Sequence, residues 1–76
     1  MNSLITQLES KGLIFNELEI TVLVTKGLSN AEIANQLFLS EKTIKFKLTN
    51  IYNKLNVKSR AQLIVYCLPH LGTMEV

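Results

Sequence analysis

The apolar residues Ile44, Leu48, Ile51 and Leu55 fall at intervals of four, three and four. At about 100° per residue they form one narrow stripe along a helix. The opposite side carries Lys42, Lys45, Phe46, Thr49 and Asn53, and Lys47, Asn50 and Lys54 flank the stripe. Ser40, just ahead, is a helix cap by type and position. A helix over about 41–55 therefore has one side for a core and another that must project.

Charge follows the same division. Residues 42–60 hold Lys42, Lys45, Lys47, Lys54, Lys58 and Arg60 and no acid, a net +6. Residues 1–41 set Lys11 and Lys26 against Glu9, Glu17, Glu19, Glu32 and Glu41, a net −3, and residues 61–76 add only Glu75. A purely basic block inside an acidic remainder fits a surface that meets a polyanion; a solvated basic face is the plainer alternative.

Three more helices bracket the first. Leu18, Ile20, Val22, Leu23 and Val24 make a segment from about 17 to 26 apolar over much of its girth, so it is expected inside. Asn16 and Glu19 suggest its capping box, and Gly27 its stop. Ser29 and Glu32 form another box ahead of Ile33, Ala34 and Leu37, with Phe38 and Leu39 making the turn. Ser59 and Gln62 open a last helix, expected to run to about Leu68 and to end at Pro69. Leu4, Ile5 and Leu8 sit at helical spacing in a lead-in that Gly12 interrupts. The fold class expected is all-α: a four-helix helix-turn-helix domain over 13–76, preceded by a short extension over 1–12.

At 76 residues the chain has room for one small domain, and 47% apolar residues are enough for a core. A single cysteine, Cys67, allows no internal disulfide, and with His70 it is too little for a four-ligand zinc site. No cofactor is expected, and no nucleophile–base or carboxylate pair points to an enzyme. Apolar runs are too short for a membrane-spanning helix. A lone cysteine and no signal-like start fit a cytoplasmic setting. Cys67 reads as a small buried apolar residue and His70 as a loop histidine.

Two helices joined by a turn of about four residues meet steeply, which sets the 41–55 helix across its neighbour with its outer side free. A helix of that length fits the major groove of B-DNA, its N-terminal part deepest. Lys42, Thr43, Lys45, Phe46 and Thr49 occupy that part. Lysines neutralise phosphates or donate to guanine, and threonine offers a hydroxyl to a phosphate and a methyl to thymine. Phe46 lies on the wrong side for the core, so it serves a base or a protein contact. Asn50 flanks this set, and Lys54 and Lys58 are expected at phosphates.

The run Gly27-Leu28-Ser29-Asn30-Ala31-Glu32-Ile33-Ala34, then Leu37, then Leu39-Ser40-Glu41-Lys42-Thr43-Ile44-Lys45, resembles the LuxR/GerE-type helix-turn-helix family. So do Asn50-Ile51-Tyr52-Asn53-Lys54-Leu55-Asn56-Val57 and Ser59-Arg60. The likeness covers roughly 13–68. It implies four helices, the third in the major groove and the fourth used for dimerisation, in a bacterial transcriptional regulator. It implies DNA contacts from Thr43, Lys45, Phe46 and Thr49, and a backbone contact from Lys54. The chain departs from the family pattern at Ile14, where a capping threonine is usual. Asn16 replaces an arginine, Lys47 replaces a histidine, and Phe46 is bulkier than usual, which implies an altered site preference. With about 12 residues ahead of the domain, the chain reads as a stand-alone effector or an excised C-terminal domain.

On the last helix Leu63, Ile64 and Cys67 suit an inward face, while Ala61, Val65 and Leu68 line another. A second apolar stripe on a terminal helix wants a partner. We expect a two-fold homodimer with Val65 central and Tyr66 near the edge, on half-sites roughly 10 bp apart. The alternative has the tail from His70 to Val76 folding over that stripe. The partner expected is double-stranded DNA, with RNA polymerase or another LuxR-family regulator as further partners. A second reading is a small antagonist that captures a larger regulator of the family through the last helix. RNA binding is weaker, since no aromatic platform for unpaired bases is present.

Overall fold

The computed structural model describes residues 3–71, in which helices alternate with short turns and no strand occurs. The helices are α1 (Ser3–Ser10), α2 (Phe15–Thr25), α3 (Asn30–Leu37), α4 (Glu41–Leu55) and α5 (Arg60–Leu71). The four expected helices are α2 to α5. α2 is central and touches each of the others, α3 packs on α4, and α1 lies against α5. That centrality follows from α2's composition: Leu18, Ile20, Leu23 and Val24 are buried on several sides of the helix.

The all-α architecture agrees with the sequence, but α1 is more than a lead-in. Leu4 and Leu8 are 1% and 0% exposed and join the same core as Ile20, Ile33, Ile51 and Leu63. Two turns of helix are marginal alone; burying two leucines, at roughly 1.5–3 kcal/mol each, is what holds α1 in place.

The ends of α1 to α4 share one device. At each, the residue after the last helical turn takes a left-handed conformation and the next amide reaches back to close a Schellman-type turn. The residues concerned are Gly12, Gly27, Phe38 and Asn56, with φ of 90°, 89°, 59° and 57°. The closing bonds run from Leu13, Leu28, Leu39 and Val57 to the carbonyls of Leu8, Leu23, Ala34 and Tyr52. Glycine and asparagine suit that conformation; phenylalanine does not.

Three of the expected caps form. Ser29 Oγ accepts from Glu32 N–H and Glu32 Oε1 from Ser29 N–H, at 3.1 and 2.8 Å. Ser40 Oγ accepts from Thr43 N–H at 3.1 Å. Ser59 Oγ accepts from Gln62 N–H at 3.2 Å, while Gln62 Oε1 accepts from Lys58 N–H at 2.7 Å, one residue earlier than in a regular box.

Three details differ from expectation. α2 starts two residues early, at Phe15, with Ile14 in the cap position. The Asn16–Glu19 box does not form, because Glu17 points inward and its Oε1 takes the Ile14 N–H at 3.0 Å. α5 continues through Pro69 to Leu71, so His70 lies on a helix and not in a loop. A proline nitrogen removes the bond to the carbonyl four residues back, that of Val65. Val65 itself is 63% exposed, and the helix nevertheless runs on to Leu71.

Candidate nucleic-acid interface

α4 is held by its stripe: Ile44, Leu48, Ile51 and Leu55 are all buried. The remainder of the helix projects. Lys42, Lys45, Phe46 and Thr49 are exposed, Phe46 to 66%, and Thr43 and Asn50 are half-buried at the margins. Phe46 therefore sits outward, as the helical wheel requires. Lys42, one turn earlier, lies on the same side of the helix.

Two hydroxyls on this side are engaged locally. Thr43 Oγ1 and Ser40 Oγ are 2.9 Å apart, which secures the first turn. Thr49 Oγ1 donates to the Lys45 carbonyl at 3.2 Å, which leaves both of its lone pairs able to accept.

The six cations of the basic block divide into two groups. Lys42, Lys45 and Lys58 are exposed, and Lys47 is half-buried. Lys54, also exposed, and the half-buried Arg60 are bonded to groups of the protein itself. Lys54 Nζ donates to Glu17 Oε1 at 2.8 Å and to the Gly12 carbonyl at 3.1 Å. Arg60 donates to Asn30 Oδ1 at 2.7 Å and to the Leu28 carbonyl, so it ties α5 to the start of α3 and the turn before it. Burial pushes the Glu17 carboxyl up, but the Lys54 ammonium, the Ile14 amide and the charge of Lys47 together hold it below its ordinary value. Glu17 had no place among the sequence-derived site residues, because its partner is 37 positions away.

On α5, Leu63 and Cys67 are fully buried and Ile64 is half-buried, as the inward face requires. Burial raises the Cys67 thiol to about 11, so it stays protonated. Ala61, Val65 and Leu68 remain exposed, the last two to 63% and 53%. Tyr66 turns toward α1 instead of toward that stripe, and its hydroxyl accepts from Gln7 Nε2 at 3.0 Å. Residues 72–76 of the tail considered as a cover for the stripe lie outside the described residues. Among the described residues, no helix is long and apolar enough to cross a membrane.

A family model for bacterial regulatory proteins of the luxR family matches residues 15–67. The chain belongs to that family. Its matched segment spans α2 to α4 and most of α5, and α1 lies outside it. The oxygen regulatory protein NreC of Staphylococcus carnosus is 50% identical over 52 residues, which cover 68% of this chain and 24% of NreC. The response regulator protein VraR of Staphylococcus aureus is 43% identical over 54 residues, covering 71% of this chain and 26% of VraR. The chain thus spans about a quarter of the length of these curated relatives. Membership brings the family's DNA-binding, regulatory character to the helix-turn-helix made by α3 and α4.

Proposed function

We propose that the protein is a sequence-specific transcriptional regulator that inserts α4 into the major groove of DNA as a two-fold homodimer joined through α5. The outward side of α4 carries this reading. Lys42, Lys45, Phe46 and Thr49 project from a helix whose other side is locked in the core, on a domain of DNA-binding family. Lys45, Thr49 and Phe46 meet base edges, with Thr43 and Asn50 at the margins of the contact. Lys42 and Lys58 meet phosphates and add affinity more than specificity. Val65, Ala61 and Leu68 pair with their copies across the two-fold axis, which sets half-sites roughly one helical turn apart. The setting is the bacterial cytoplasm, with the protein on the nucleoid when bound, and RNA polymerase is a further partner.

The test is selection of bound sequences from a random duplex pool at two salt concentrations. The reading expects a two-fold-symmetric motif and affinity that falls as salt rises. Purely non-specific retention contradicts it. Val65→Glu separates out the dimer: sedimentation should shift toward the monomer and binding to the symmetric motif should weaken. The exposed stripe on α5 also favours a second reading, a small antagonist that captures a larger luxR-family regulator there. Such an antagonist retains its effect when Lys45 and Thr49 are removed.

A further inference from the structure

We propose that Lys54 is a positioning residue: it clamps the C-terminal end of α4 onto the start of α2 through Glu17 and Gly12, and so sets the angle at which α4 presents its outward side, instead of meeting a phosphate. The inference rests on the DNA-binding reading and concerns how that surface is aimed.

The geometry separates Lys54 from the other lysines. Its ammonium lies 2.8 Å from Glu17 Oε1 and 3.1 Å from the Gly12 carbonyl, so two of its three donors are directed into the protein. The Glu17 side chain is only 5% exposed, against 36% for that of Lys54. The same Glu17 oxygen takes the Ile14 amide at 3.0 Å. One carboxylate therefore gathers the first turn of α2 and the last turn of α4. If Lys54 swung out to a phosphate, it would leave a buried carboxylate without its cation, which is strongly unfavourable. Lys42, Lys45 and Lys58 carry no such obligation.

The position of the clamp gives it leverage. Lys54 is one residue from the end of α4. Lys42 to Phe46 lie roughly 12–18 Å up the same helix, at 1.5 Å per residue. A tilt of about 5° at the clamp shifts those residues by about 1–1.5 Å on that geometry. Shifts of that size spoil base hydrogen bonds, which tolerate only a few tenths of an ångström, while mobile phosphate contacts adapt.

The two roles predict opposite signs for one substitution. Glu17→Gln removes a negative charge from a protein that binds a polyanion. If Lys54 served a phosphate, this change would leave DNA affinity unaltered or raise it. If Lys54 positions α4, it lowers affinity for the selected duplex. The experiment compares wild type, E17Q, K54Q, K54R and E17Q/K54Q at a temperature where thermal melts show each folded. It reads affinity for the selected and a random duplex, the salt slope, and the orientation of α4 relative to α2 from residual dipolar couplings of the free protein.

We expect E17Q and K54Q each to weaken binding to the selected duplex by about fivefold, with the double variant no worse than the weaker single, since the two residues act as one unit. Binding to random duplex and the salt slope stay unchanged, K54R restores the wild-type value, and the dipolar couplings show α4 tilted in both single variants. E17Q binding as tightly as wild type or tighter, with K54Q lowering the salt slope by about one, overturns the proposal. A wild type that does not discriminate between duplexes defeats the DNA reading itself. The dipolar couplings then decide the clamp, and an α4 unmoved in E17Q and K54Q overturns it. Should E17Q fail to fold, K54Q and K54R carry the same readouts.

Discussion

At its N-terminal end α4 holds Lys42, Lys45 and Phe46 out to solvent on a single serine cap, whereas at its C-terminal end Lys54 is bonded to two groups on the α1–α2 side of the molecule. The same residue type, lysine, is placed differently at the two ends because, among the described residues, only the C-terminal end has a buried carboxylate within reach. The N-terminal end presents its side chains to solvent, and the C-terminal end is tied to α2. Charge counting alone credits both ends equally; the Glu17 carboxylate, 5% exposed, tells them apart.

Both ends hang from the same stripe, so removing its middle should disturb both. Leu48 is 4% exposed, and Leu48→Ala should destabilise folding by about 2–5 kcal/mol in urea unfolding. A cost below 1 kcal/mol would mean that α4 is held mainly by its ends. Ser40→Ala acts on the N-terminal end alone. It should cost about 0.5–2 kcal/mol, and native-state hydrogen exchange should show the first turn of α4 loosened and the last turn unaffected.

A smaller effect of opposite sign is expected at the turn that launches α4. Phe38 adopts φ 59° while its side chain is 94% exposed, so its backbone is strained with no packing in return. Phe38→Gly should stabilise the domain by about 0.5–1 kcal/mol, the left-handed strain less the added glycine entropy. Destabilisation would show that the aromatic ring contributes to the fold.

The C-terminal end has a pH signature. The Glu17 carboxyl is held below its ordinary value of 4.5 by Lys54 and the Ile14 amide from nearby, with Lys47 adding to the field, against the upward push of burial. A depressed carboxylate contributes stability that is fully present above its unfolded value and is lost as pH falls through the folded one. Stability should therefore drop below about pH 4.5 more steeply in wild type than in Glu17→Gln. A partly exposed ion pair adds little net stability, so the difference between the two curves is the quantity to follow. Superimposable curves would mean that the pair does not bear on the fold.

Much of this was legible in the residues. The 4-3-4 spacing located α4 and turned Phe46 outward, and the serines at 29, 40 and 59 marked three helix starts. These are local signals, written within one or two turns of the residue that carries them. What escaped was long-range or depended on solvent. Lys54 and Glu17 are 37 residues apart, and Arg60 spends its charge on Leu28 and Asn30. Leu4 and Leu8 had the spacing of a helix, but nothing nearby indicated that α5 would cover them. Pro69 looked like a terminus because its ring removes a hydrogen bond, yet α5 runs through it to Leu71. The candidate contact set on α4 was thus readable as a face, while the Lys54–Glu17 contact at its far end was not.

The proposed function requires that the exposed side of α4 read base sequence. Its most direct measurement is the affinity of Lys45→Ala and Thr49→Ala for the selected duplex and for single-base variants of it, with melting temperature followed in parallel. Each variant should lose about 1–3 kcal/mol of binding, with discrimination relaxed at one position of the site, and folding stability unchanged within about 0.5 kcal/mol. Full retention of both affinity and discrimination in the two variants would contradict it.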